Sequence, residues 1–325
     1  MSILYVPNSI GLQNFESIFS KNSFNFNDGN VAIQFHPSYV AMHPMGIAFY
    51  AALGDYFLLH SIKTSATINY QIRSIPYLQR MGFFGGLGYG NPVATVEHEE
   101  AGRFIPLTKI KTNEELETFM KNIDPLLHTS RETSRVIKHV FSELLRNVLE
   151  HSQATNGGNV CASYNRNRKK ISIGISDAGI GIYNSLRHYH RLNSSLEAIY
   201  AALTPGISGT TARIGGTEEN AGAGLFFTKC IAKSTRNLLV IYSGDASFKL
   251  RATPKRKPIQ FYPDPRQDHK TVRDRLPYFQ GTLIGIDIFI EDTETFNNLM
   301  VEIGAAYRLG VKKQKKDYYK RISFT

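Results

Sequence analysis

The amino-acid sequence predicts an α+β protein, an α/β sandwich with a mixed sheet and helices on one face, preceded by a smaller α/β domain. The first observation is an apolar stripe of helical period over residues 134–152. The second is a pair of alternating strands, residues 159–164 and 170–176, joined by the turn-like sequence RNRK. The third is that residues 1–90 alternate between strand and helix patterns.

The N-terminal elements come first in the chain. Residues 31–35 predict a short strand, residues 45–60 an apolar helix, and residues 66–72 a second strand. The glycine-rich run 82–90 lacks the Lys-Ser/Thr of a P-loop and the spacing of a dinucleotide fingerprint, so it predicts a flexible or tightly turned connector. The polar stretch 91–122, with acidic residues at 97–100, leads across a predicted domain boundary.

The second domain begins with the helix of residues 134–152, which Asn156-Gly157-Gly158 ends. After the two strands, a variable region over residues 183–220 leads into a helix over residues 222–234. Strands at 238–243 and 282–290 close the domain. The predicted organisation is therefore a small α/β regulatory domain with its linker at 1–125, a second domain at 126–295, and a helix with a basic tail at 296–325.

Composition excludes several classes of protein. The hydrophobic content of 42% suits a globular chain, and no apolar run approaches the roughly 18 residues that span a bilayer. The N-terminus has no charged segment followed by an apolar core, so a signal peptide is not expected. Two cysteines are too few for a disulfide framework or a zinc site. These features favour a cytoplasmic protein.

The net charge of +11 is unevenly distributed. Residues 308–321 (RLGVKKQKKDYYKR) carry seven basic residues against one Asp, and residues 251–257 carry four. Such clusters attract phosphate backbones or anionic membranes, although a solvated tail and loop are the common alternative. The clusters alone do not decide the function, because no nucleic-acid motif accompanies them.

Glu143 and Asn147 carry the first chemical signal. They lie four residues apart, so they share one face of the predicted helix. An amide oxygen there can ligate Mg²⁺, which prefers hard oxygen donors, and a carboxylate one turn earlier can deprotonate an attacking water. Taken alone, such a pair is more often a solvated helix face.

Asp177 carries the second signal, because alternation places it on the core-facing side of the strand that precedes it. A carboxylate there needs a hydrogen-bond donor, and an adenine amino group would supply one. Gly179 and Gly181 would let the backbone pass close to a flat base. An ordinary strand-ending turn is the alternative.

Two further glycine signals follow. Gly222 and Gly224 open a predicted helix, whose free N–H groups and positive dipole end suit a phosphate chain. Gly281-Thr282 opens the last apolar strand, where a hydroxyl could meet a phosphate or the adenine side. Each signal is weak in isolation.

Together and in this order, the four segments resemble the N box, the two glycine boxes and the closing Gly-Thr of the GHKL superfamily, over residues 131–291. The stretch NVLEHSQAT from Asn147 is especially similar to the N box of sensor histidine kinases and anti-sigma-factor serine kinases. The resemblance implies a Bergerat-type fold that binds ATP with Mg²⁺ as cofactor. Phe226-Phe227 departs from the usual pattern, in which a further glycine follows Leu225.

The resemblance also implies a role for each matching residue. Glu143 is the catalytic carboxylate, Asn147 the Mg²⁺ ligand, and Asp177 the adenine reader. Gly179 and Gly181 line the base, Gly222 and Gly224 hold the phosphates, and Thr282 closes the pocket, while residues 183–220 form an ATP lid. Residues 1–90 resemble a STAS-like domain through the order strand, helix, strand and then Tyr77 to Gly82.

Three functions remain open from the sequence. The first is an ATP-dependent switch with slow hydrolysis, acting on a protein partner or a second copy of the chain. The second is a serine or histidine protein kinase acting on a separate partner, and the third is a nucleic-acid-associated ATPase that uses the basic tail. Autophosphorylation on histidine is not expected, because only a short helix over 114–120, ended by Asp124-Pro125, precedes the N box.

Overall fold

The computed structural model of the chain describes residues 2–19, 21–22, 26, 29–68, 72–90, 104–127, 131–215, 222–289 and 296–322. The strands are β1 (Ser2–Val6), β2 (Ser9–Ile10), β3 (Asn30–Phe35), β4 (Ala41–Met42), β5 (Lys63–Thr67), β6 (Phe104–Ile110), β7 (Gly158–Asn165), β8 (Lys170–Asp177), β9 (Leu239–Gly244), β10 (Ala246–Leu250), β11 (Lys270–Arg273) and β12 (Phe279–Phe289). The helices are α1 (Pro44–Leu59), α2 (Ile75–Arg80), α3 (Phe83–Gly86), α4 (Asn113–Leu127), α5 (Arg131–His151), α6 (Gly181–Leu186), α7 (Ser195–Ala202), α8 (Gly224–Ser234) and α9 (Phe296–Ile322).

The predicted α+β class is confirmed, and the main sheet has seven strands in the order β11-β10-β9-β12-β8-β7-β6. Every pairing in this sheet is antiparallel, so the expectation of a mixed sheet was wrong. The reason is local: β7–β8 and β9–β10 are hairpins, and β12 inserts between β8 and β9. Parallel pairing is confined to β1-β3-β5 and to the short pair β2-β4.

Helices cover both faces of the main sheet, which corrects the expectation of helices on one face. The side chains of Ile171, Ile173 and Ile175 in β8 belong to the core that includes residues of α4, α5 and α8. The alternate residues Ser172, Gly174 and Ser176 are small and face α1 instead. Helix α1 is apolar all round because it is packed between the main sheet and the N-terminal strands.

Polar contacts also join α1 to the main sheet. The backbone N–H of Met45 donates to His43 Nδ1, so the ring carries its proton on Nε2, which donates to Asp287 at 3.0 Å. Lys170 and Ser172 donate to the same carboxylate at 2.8 and 2.6 Å. Asp287 is 7% exposed, and these donors supply the partners that a buried carboxylate requires.

The region before α5 differs from the prediction. The polar stretch that was expected to cross a boundary contains β6, the edge strand of the main sheet, and α4. Helix α4 runs through Asp124-Pro125 to Leu127, so the expectation that proline ends it was wrong. Pro125 lies only two residues from the end of the helix, and Leu116, Phe119 and Ile123 are buried in the core and hold the helix in place.

Most other predicted elements are confirmed within a few residues, including the strands at 31–35, 159–164, 170–176, 238–243 and 282–290 and the helices at 45–60 and 134–152. The strand expected at 66–72 lies earlier in the chain, because β5 covers Lys63–Thr67 and residues 68 and 72 are not in a strand. Residues 69–71 lie outside the described part of the chain. The acidic residues 97–100 also lie outside it. No helix in the described ranges is long and apolar enough to cross a membrane.

Candidate functional site

A cavity of about 260 Å³ lies between the main sheet and helices α5, α6 and α8. Seven of the eight residues singled out in the sequence line it: Glu143, Asn147, Asp177, Gly181, Gly222, Gly224 and Thr282. The eighth, Gly179, contacts Asp177 through its backbone N–H. Segments separated by as many as 139 positions in the sequence therefore meet in one place.

Asp177 is the last residue of β8 and is 2% exposed. Its side chain accepts a hydrogen bond from the N–H of Gly179 at 2.8 Å, and the N–H of Thr282, opposite it on β12, also donates to it. Burial raises the pKa of Asp177 to about 7, and the two N–H donors offset only part of that effect. The carboxylate has no charged partner among these contacts, so it presents an unneutralised acceptor to the cavity.

The backbone around Asp177 is closely packed. A β-carbon at Gly179 would overlap the carbonyl oxygen of Ser152, the residue that follows α5. That same carbonyl accepts the N–H of Ile180 at 2.8 Å. Glycine at position 179 is therefore required for the turn after β8 to lie against the end of α5.

Ser243 is a site residue that the sequence did not reveal. Its hydroxyl donates to the carbonyl of Gly281 at 2.7 Å and accepts the N–H of Ile182 at 3.0 Å. These two bonds join the beginning of α6 to the beginning of β12, the two backbone segments on either side of Asp177. A serine at the end of a strand is too common for the sequence to have identified it.

Glu143 and Asn147 lie on the cavity face of α5, one turn apart and half-buried. Burial raises the pKa of Glu143, Arg146 opposes this increase, and Glu150 adds to it. A carboxylate with a raised pKa is a stronger base, as general-base catalysis requires. Within the described part of the chain, Asn147 Nδ2 is buried and has no hydrogen-bond partner.

Gly224, the first residue of α8, faces this pair. A β-carbon at position 224 would lie 2.6 Å from Glu143 Oε2 and 3.2 Å from Asn147 Nδ2. The unpartnered amide therefore points at the positive end of a helix dipole, where an oxygen is favoured over an N–H group. A half-turn of the Asn147 amide would place Oδ1 where Nδ2 now lies. The oxygen would fit there, because the two ends of the amide are nearly the same size.

The donors suit a magnesium ion better than a transition metal. Among the described residues, no group of three or more His, Cys, Asp or Glu side chains could hold a metal ion. Mg²⁺ does not need such a cage, because it keeps several waters and binds through one or two protein oxygens together with phosphates. The Asn147 amide and the Glu143 carboxylate are two neighbouring oxygen donors in the cavity lining that could serve that arrangement.

Among its described residues, part of the segment expected as a lid at 183–220 lines the cavity. Helix α7 is packed on β9 and β10, with Ala198 and Ile199 in the core. Ile207, Ser208 and Gly209 line the cavity, and the N–H of Gly206 donates to the carbonyl of Gly222 at 3.1 Å. The loop that follows α7 thus contacts Gly222, two residues before α8, while residues 216–221, part of the predicted second glycine box, lie outside the described ranges.

The comparisons with known proteins do not assign this site. No protein-family model matches the chain. A search of the curated proteins returned no match to it.

Proposed function

We propose that this chain binds ATP with Mg²⁺ in the cavity between α5 and α8 and acts as a nucleotide-dependent switch that hydrolyses ATP slowly. The observation that carries the proposal is the convergence of Asp177, the Glu143–Asn147 pair and the glycines of α8 on one cavity. The same segments resemble the GHKL motifs in the same order along the chain. The shared cavity supports the resemblance because four unrelated motifs would have no reason to meet.

In this proposal, adenine lies against Asp177. The adenine amino group donates to the Asp177 carboxylate, whose only hydrogen bonds described above come from backbone N–H groups. Gly181 and Thr282 line the cavity beside it, and Gly181 has a φ of 74° that favours glycine. A neutral, planar group with an N–H donor suits this end of the cavity, since it would satisfy a buried acceptor.

The phosphates lie toward α8, where Gly222 and Gly224 leave the backbone N–H groups open to an anion. Asn147 would hold Mg²⁺, which neutralises charge on the phosphates. Glu143 would take a proton from the attacking water, and its raised pKa makes it a better base for this purpose. The loop over residues 203–215 would change its contacts with the nucleotide state and pass that change to a protein partner or a second copy of the chain.

Calorimetric titration with ATP, with and without Mg²⁺, tests the binding site. We expect Asp177→Asn and Asn147→Ala to lower the affinity for Mg·ATP about 10- to 100-fold, the value of one hydrogen bond to a charged group. The matched control is Asp274→Asn, an exposed carboxamide substitution away from the cavity, which should bind as the wild type does. Unchanged affinity in both cavity variants would refute the site.

Incubation with γ-labelled ATP tests the reaction. We expect the label to appear as free phosphate, and Glu143→Ala to bind ATP while losing about 10²- to 10⁴-fold in turnover. Glu143→Gln, which keeps the size of the side chain, should lose as much. Label that remains on this chain or on a co-purifying protein would instead identify a protein kinase, and normal turnover in both variants would show that Glu143 is not the base.

A further inference from the structure

Helix α9 has one side that the fold uses and one side that it leaves exposed. On the inner side, Ile303 is fully buried and the ring of Tyr307 lies 6.2 Å from that of Phe226. Gln314 Nε2 donates to the carbonyl of Pro205 at 2.7 Å, and Gly310 lies against Pro205 and Pro263. The helix is therefore fixed to the domain between Ile303 and Gln314.

The outer side of α9 is strongly basic. Arg308, Lys312, Lys313 and Lys316 are exposed and recur at intervals of four, one and three residues, which places them on one face. They span about 12 Å along the axis at a rise of about 1.5 Å per residue. In the described part of the chain none of the four forms an ion pair, so their charge is not neutralised internally.

We propose that this basic face of α9 binds the phosphate backbone of duplex DNA without reading its sequence. Duplex DNA carries about one negative charge per 1.7 Å of axis, so several phosphates fall within the length of the face. Lysine and arginine side chains on a fixed helix are suited to phosphate contacts, which position a protein without sequence information. The inference does not rest on the proposed ATP site.

Two other anionic partners fit the face less well. A helix that lies on a bilayer inserts an apolar face into it, whereas the apolar side of α9 is turned into the domain and Leu309 is the only large apolar side chain exposed between Arg308 and Lys316. Proteins that bind single strands stack bases on aromatic rings. Among the side chains that the structure describes on this helix, the aromatic residue next to the face is Tyr307, and it is packed against Phe226 and Phe227 instead.

The test measures duplex DNA binding by the 325-residue chain, without nucleotide, between 50 and 200 mM salt. We expect the triple variant Lys312→Gln, Lys313→Gln, Lys316→Gln to reduce the slope of log K against log salt by about 2.7, for three lost phosphate contacts. Over that salt range the wild type should then lose about 40-fold more affinity than the variant. Glutamine is a good helix former, so α9 should persist, and circular dichroism checks this.

The matched control removes the same three charges elsewhere. The control is the triple variant Arg166→Gln, Arg168→Gln, Lys169→Gln, in the exposed turn between β7 and β8 at the opposite end of β8 from Asp177. It should leave the slope of log K against log salt unchanged. An equal loss in the control would show that net charge alone is responsible and would overturn the proposal. So would the absence of duplex binding at 50 mM salt, tighter binding to a single strand of the same length, or binding to phosphatidylserine vesicles but not to DNA.

The ATP affinity of the triple variant in α9 is expected to equal that of the wild type, which separates this test from that of the cavity.

Discussion

At the scale of single residues, two buried aspartates show how local partners decide chemical role. Burial alone would raise the pKa of Asp287, but the hydrogen bonds from His43 and Lys170 and the positive charge of Lys170 outweigh it and lower the value to about 2. Asp177 is equally buried and has only backbone N–H donors, so burial prevails and raises its pKa to about 7. Asp287 is thus a neutralised link within the fold, whereas Asp177 keeps an acceptor that a ligand can use.

The raised pKa of Asp177 predicts a pH dependence of stability. The folded state holds this proton up to about pH 7, whereas the unfolded chain releases it near its ordinary value of 3.8. The contribution of Asp177 to the free energy of unfolding is therefore fully present below about pH 4 and is lost as pH rises to about 7, by at most about 1.4 kcal/mol per pH unit. Asp177→Asn cannot titrate and should remove this part of the slope.

Urea unfolding of the nucleotide-free protein between pH 4.5 and pH 8 measures that slope. The difference between wild type and variant isolates Asp177, since Asp287 and the other titrating groups are common to both proteins. The same slope in both proteins would show that Asp177 titrates near its ordinary pKa, and would remove the argument that it presents a costly buried charge to the cavity.

At the scale of elements, the first turn of α8 contacts the Glu143–Asn147 pair on α5. The substitution Gly224→Ala tests this contact. The new methyl group would lie 2.6 Å from Glu143 Oε2, the end of a flexible side chain that can move, so the fold should persist. Moving Glu143 disturbs the pair formed with Asn147, and we expect Mg·ATP affinity to fall at least about tenfold, roughly 1.4 kcal/mol. Gly85→Ala in α3 is the control, because nothing lies within 4 Å of its β-carbon position.

Titration calorimetry and thermal unfolding of both glycine variants complete the comparison. The control should bind normally and be as stable as the wild type or slightly more so, since alanine is favoured over glycine within helices. If Gly224→Ala binds as the control does, the first turn of α8 is not close to the phosphates and the proposed orientation of the ligand is wrong.

The elements also show what sequence patterns reveal and what they miss. The β7–β8 hairpin and α5 were predictable because their apolar residues recur with the period of one element. The position of α1 against the main sheet was not predicted. The small residues on one face of β8, which are Ser172, Gly174 and Ser176, are what allow α1 to lie so close to the sheet. Strand β6 was missed because its pairing with β7 depends on partners 48 to 59 residues later in the chain.

At the scale of the whole molecule, the chain is layered, with the N-terminal strands, α1, the main sheet and the α4–α5–α8 helices packed in succession. The site lies on the α5–α8 side, and α1 supports the sheet from behind. That the motif residues meet in one cavity could be inferred from the sequence, because the motifs occur in the order of the resembled superfamily. The contacts that hold the cavity in shape, such as those of Ser243 and Ser152, depend on residues too common to carry a signal.

The packing of α4 bears on the last prediction, which is that this protein does not phosphorylate itself on histidine. Sensor kinases of the GHKL type carry the acceptor histidine on a helical hairpin that precedes the ATP domain and also dimerises. Here the helix preceding α5 is α4, and its residues Leu116, Phe119 and Ile123 are buried in the core, so the α4–α5 pair is part of the domain. Two long antiparallel helices free to form a dimeric bundle are not present in residues 104–127 and 131–151.

Two histidines lie between Arg103 and the N box. His128 is outside the described residues, and His139 lies on α5 one turn before Glu143, where burial lowers the pKa of its ring. The imidazole of His139 is half-buried, and its ring centre lies 5.9 Å from that of Phe227. It is therefore poorly placed to reach the active site of another molecule. Purified protein incubated with γ-labelled ATP should therefore carry no acid-labile, base-stable phosphoryl group, and His128→Ala and His139→Ala should leave ATP turnover unchanged. If such a group appears on the wild type and disappears in either variant, the chain is a histidine kinase and the switch proposed above must be replaced by phosphotransfer.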